Sequence, residues 1–157
     1  MRKYRASNRV PFGSFLLLIL VGAIAGAIVG AVLWAVDSYV HFYLVLLFPL
    51  LGGAIAGGAL STVTRIGKVR SPFIAGLVGV FAALVMYGVY HGASYYVTFL
   101  NEMRSAYEEN AGKGASDEDF ERALNKLMFS EVGDTGIVGY LKLAAREGFS
   151  ITRTSSF

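Results

Sequence analysis

From Pro72 to Leu100 the chain runs for 29 residues without a charged side chain. At 1.5 Å of rise per residue, a helix of that length exceeds the ~20 residues that carry a chain across a hydrocarbon core of ~30 Å. The stretch therefore reads as a membrane span. Its first half, PFIAGLVGVFAALVM, is aliphatic, with small residues at Gly76, Gly79 and Ala83. Its second half, YGVYHGASYYVTFL, holds four tyrosines, one histidine, one serine and one threonine. Gly76, Ala83, Tyr87, His91, Ser94 and Thr98 recur at helical spacing, which predicts one face that is small in its first half and polar in its second.

The rest of the chain agrees with a membrane solvent. Of 157 residues 55% are apolar and only 16% charged, too apolar for an ordinary soluble domain. The absence of cysteine excludes disulfides, thiol nucleophiles and thiolate metal sites. Residues 1–100 carry seven Lys/Arg and a single acid, Asp37, whereas residues 101–157 carry seven Lys/Arg against ten Asp/Glu. The basic excess thus belongs to the membrane part, where topology accounts for it without nucleic acid.

A basic N-terminus (1–11) precedes a first span, 12–36. The run Phe12 to Val36 is about twice the length of a signal-peptide core, which favours an uncleaved span; cleavage near Ala23–Ala27 is the alternative. Gly22, Gly26 and Gly30 stand at four-residue intervals in it, a small-xxx-small ridge that lets another helix backbone approach closely. A connection, 37–41, leads to a second span, 42–63, in which Pro49 is expected to kink the helix and Gly53 and Gly57 form a second ridge. GAIAG occurs at both 22–26 and 53–57, from either a duplicated hairpin or convergence in Gly/Ala-rich helices. Arg65, Lys68 and Arg70 make the 64–71 turn basic, and Pro72 opens the third span, 72–100. With three crossings, both basic segments fall on one side. The positive-inside rule then places the N-terminus and this turn in the cytoplasm and 101–157 outside.

The last region is amphipathic. Asn101 to Asn110 continues the third helix, AGKGAS is a break, and Ser116 with Asp119 forms a capping box. Phe120, Ala123, Leu124, Leu127 and Met128 trace one apolar face, Gly133 ends that helix, and Asp134 or Thr135 starts another. Such short helices cannot build a sizeable core alone; they pack on the membrane surface, on each other or on a partner.

Chemistry has few places to reside. Helical spacing carries Asp37, His41, Tyr87, His91 and Ser94 towards one polar pocket if the small-residue faces meet. As a site, this set suits a metal or haem pair on His41 and His91, a quinone headgroup or an ion gate. Its plainer reading is an interfacial belt with Tyr39, Tyr43, Tyr90, Tyr95 and Tyr96. No Glu, Lys or Arg lies inside a span, and no nucleotide-binding, hydrolase or metalloprotease motif is present. The expectation is an all-α integral membrane protein of three helices packed through Gly/Ala ridges, with two or three short amphipathic helices beyond. The expected role is a non-catalytic accessory or scaffolding subunit in a complex with other membrane subunits or its own copies, with no cofactor. A homo-oligomeric pore lined by the third span, and a haem-, metal- or quinone-binding protein, are the alternatives.

Overall fold

The computed structural model describes residues 11–40, 47–67, 69, 71–111 and 116–147. Every regular element among them is helical: α1 (Phe12–Val40), α2 (Leu47–Ile66), α3 (Pro72–Ala93), a π-helical turn (Ser94–Phe99), α4 (Leu100–Ala111), α5 (Asp117–Val132) and α6 (Gly136–Glu147). Two compact units result, Met1–Tyr90 and His91–Phe157. Phe12–Tyr39 and Pro72–Asn110 are each long and apolar enough to cross a membrane, and Leu50–Ile66 is a shorter apolar helix.

In the first unit α1 packs against both α2 and α3. Leu18, Leu60, Val78 and Ala82 are buried together, with Phe15, Ile19, Val63 and Ile74 around them. The glycines of α1 set how close the helices come. A Cβ on Gly26 would stand 2.4 Å from the carbonyl oxygen of Ala82, and one on Gly30 would stand 2.4 Å from that of Met86. Gly22 lies against Val78 at 3.1 Å on the same measure. The four-residue ridge of α1 is thus matched to the backbone of α3.

The other ridges face elsewhere. On α2 it is Gly52 that meets Val29 and Met86, at 3.1 and 3.2 Å from a built Cβ. Around Gly53, Gly57, Gly76 and Gly79 a built Cβ meets nothing within 4 Å among the described residues, and Ala83 is exposed. The reason is rotational. Val78, Ala82, Met86 and Val89 occupy the α3 face turned to α1, and Gly76, Gly79 and Ala83 lie about a quarter-turn or more around the helix. Along the exposed side of α1 runs an aliphatic row, Leu16, Leu20, Ile24, Ile28 and Val32, each more than half exposed.

Three details differ from the spacing argument. α1 continues through Asp37 to Val40, because Asp37 is satisfied by a side-chain partner in its last turns. Pro49 falls in the first turn of α2, where an amide has no intrahelical acceptor to lose, so it does not interrupt that helix. α2 also extends to Ile66, past the expected end at 63.

In the second unit the punctuation is as expected. The Ser116 hydroxyl accepts from the Asp119 amide at 3.2 Å and donates to the Asp119 carboxylate at 2.7 Å, capping α5. Gly133, at φ 72°, ends it, its amide donating to the Phe129 carbonyl at 2.9 Å. Leu124 and Met128 are buried, whereas Leu127 is half exposed at the edge of that face. Met128 reaches α6 beside Gly139, where a Cβ would lie 2.9 Å from its methyl group. Arg104 joins α4 to the start of α5 through Asp117, and Tyr107 packs on Phe120 with ring centres 5.7 Å apart.

Candidate functional site

The polar groups expected to converge divide among separate settings. In the first unit, the Asp37 carboxylate accepts a hydrogen bond from the Tyr90 hydroxyl at 2.9 Å, in a part-buried contact between α1 and α3. Tyr87, three residues earlier, is 55% exposed. The helical rotation that sets Val78 and Ala82 against α1 therefore brings Tyr90, rather than Tyr87, to Asp37. Such a bond at the end of two apolar helices satisfies a group that is costly to leave bare in low dielectric.

In the second unit, His91 is buried and its ring meets Tyr140 of α6 edge-on, with centres 6.4 Å apart. Tyr140 also packs on Tyr95 at 5.5 Å and Phe99 at 5.2 Å, and Tyr95 stacks on Phe99 at 6.0 Å. Tyr96 meets the edge of Tyr95 at 4.9 Å. The local backbone helps to create this cluster. The Leu100 amide donates to the Tyr95 carbonyl five residues back, a widened turn that places Tyr95 and Phe99 one above the other. Ser94 opens that turn and is half-buried, as is Thr98. Each aromatic pair adds ~0.5–1.5 kcal/mol beyond the area it buries, so the cluster is a firm clasp between α6 and the last turns of the long helix.

His41 lies outside the described residues. Among those described, no group of three His, Asp or Glu side chains is placed to hold a metal ion. The arrangement offers one imidazole in an aromatic setting and one carboxylate held by a phenol.

Two features escaped the spacing argument. Spacing alone puts Tyr90 in an interfacial belt, although its position next to the polar stripe makes it a candidate for Asp37. Tyr140 carried a signal as well, since it is the only aromatic residue in the amphipathic α6. No family profile matches the chain, and neither a curated protein nor a solved structure matches it.

Proposed function

We propose that the protein is a non-catalytic accessory or scaffolding subunit of a larger membrane assembly. In this reading it crosses the bilayer three times, with α2 crossing as well as α1 and α3: its 20 residues give about 30 Å of helix. The N-terminus and the 64–71 turn lie in the cytoplasm and the region after Leu100 lies outside, following the basic residues.

One observation carries the reading. The α1 ridge is occupied inside the chain, while α2 and α3 present small residues outward: Gly53, Gly57 and Gly58 on one, Gly76 and Gly79 on the other, with nothing among the described residues within 4 Å of a built Cβ. In lipid, close backbone approach replaces the hydrophobic drive between helices, and small outward faces are where other helices dock. Placing leucine at Gly57 or Gly79 should detach co-purifying subunits and leave the chain folded. Retention of every partner in both variants would remove the proposal's basis.

The pore reading draws on Tyr87 and Ala83, which face outward on α3. It is the weaker of the two, because His91 in the same stripe is covered. The cofactor reading depends on His41 together with His91 and gains no support from the described residues.

A further inference from the structure

We infer that α6 is an interfacial helix, held in the lipid headgroup layer by the aromatic clasp on Tyr140, with Val138 as its contact to lipid. The inference rests on the membrane reading above and adds a partner for a region that reading leaves outside the bilayer. The clasp residues fix the depth. His91, Tyr95 and Phe99 follow Pro72 by 19, 23 and 27 residues on one continuous helix. At 1.5 Å per residue, they stand about 28 to 40 Å beyond the point where that helix enters the apolar core, which is ~30 Å thick. They are therefore the residues that leave the hydrocarbon, and the first charge after them is Glu102. Tyr140 touches all three rings, so α6 is held beside the helix at headgroup depth and does not stand above it in water.

Side-chain directions agree. Val138 lies two residues before Tyr140, on the opposite side of α6, and is 52% exposed. With Tyr140 turned towards the long helix, Val138 points sideways, away from it and into the surrounding headgroups. Lys142 and Ala145 follow Val138 at i+4 and i+7 on this flank, an apolar and basic mixture suited to an interfacial helix. Its cations are already engaged, Lys142 with Asp134 and Arg146 with the Glu131 carbonyl at 2.8 Å. Attachment is accordingly apolar, and anionic lipid is not required.

The chain has no cysteine, so single labelling sites can be introduced cleanly. Val138→Cys, Val80→Cys and Glu118→Cys would each be labelled with an environment-sensitive fluorophore in the full chain, reconstituted in phosphatidylcholine vesicles. Quenching by nitroxide-bearing lipid is then compared with quenching by iodide. The label at Val80, mid-span, should respond to lipid quencher alone, and the label at Glu118 to iodide alone. The label at Val138 should lose most of its emission to headgroup-level nitroxide and little to iodide. Val80 quenched by lipid with Val138 quenched only by iodide would overturn the interfacial helix and spare the membrane reading. Iodide access at both would overturn both. Val138 is half exposed, so its replacement should not disturb folding; an unchanged unfolding midpoint verifies this.

Discussion

Adding one methyl group at Gly26 should loosen the α1–α3 contact. The new Cβ would stand 2.4 Å from the Ala82 carbonyl oxygen, about 1 Å short of ordinary van der Waals contact, and 3.3 Å from the Met86 amide nitrogen. Both neighbours are backbone, so no rotamer change relieves the clash and the helices must separate. A gap of ~0.5–1 Å forfeits about a quarter to a half of the attraction between the surfaces concerned. Overpacking of this kind costs ~1–3 kcal/mol. Alanine is also the better helix former by ~1 kcal/mol, a gain that Gly57→Ala should show without a clash. The informative quantity is therefore the difference between the two variants, expected at about 1–3 kcal/mol in favour of Gly57→Ala. Unfolding in mixed micelles with increasing dodecyl sulfate, followed by the emission of the single tryptophan, Trp34 on α1, reads it directly. Equal midpoints for Gly26→Ala and Gly57→Ala would refute the close-packing argument. Gly26→Leu, by the same geometry, should impair assembly through loss of the chain's own fold.

Other perturbations act on separate contacts. Tyr90→Phe removes the hydrogen bond to the Asp37 carboxylate and should cost ~1.5–3 kcal/mol in the same assay. Ser116→Ala should weaken α5 by ~1 kcal/mol, seen as faster amide exchange in its first turn. Gly133→Ala forces a side chain into a left-handed conformation at φ 72° and should destabilise the α5–α6 corner by ~1–2 kcal/mol, visible as faster exchange near that corner. Glu118→Ala touches an exposed pair with Arg122 at 3.3 Å and should leave the unfolding midpoint where it was.

The helices of this chain were legible because apolar length and punctuation are local properties. The uncharged run from Pro72, the Ser116 cap and the Gly133 stop each depend on a few adjacent residues, and each appears in the structure. Helix rotation was less legible. GxxxG spacing marks a face that allows close approach, but cannot say which ridge meets which. Thus Gly22, Gly26 and Gly30 found a partner within the chain, whereas Gly53, Gly57, Gly76, Gly79 and Ala83 turned outward. The same rotation decided that Tyr90 rather than Tyr87 reached Asp37. The clasp of His91, Tyr95, Phe99 and Tyr140 joins residues more than forty positions apart through a widened turn, and no periodicity rule anticipates that register change.

On the proposed function, the outward small faces of α2 and α3 serve other subunits. Extraction in mild detergent, native mass determination and identification of co-migrating chains test it most directly, with the Gly57→Leu and Gly79→Leu variants alongside. The expected result is one copy of this chain in fixed stoichiometry with different membrane proteins, and loss of those proteins in at least one variant. A monomer without partners, or a closed ring of identical chains, would contradict it.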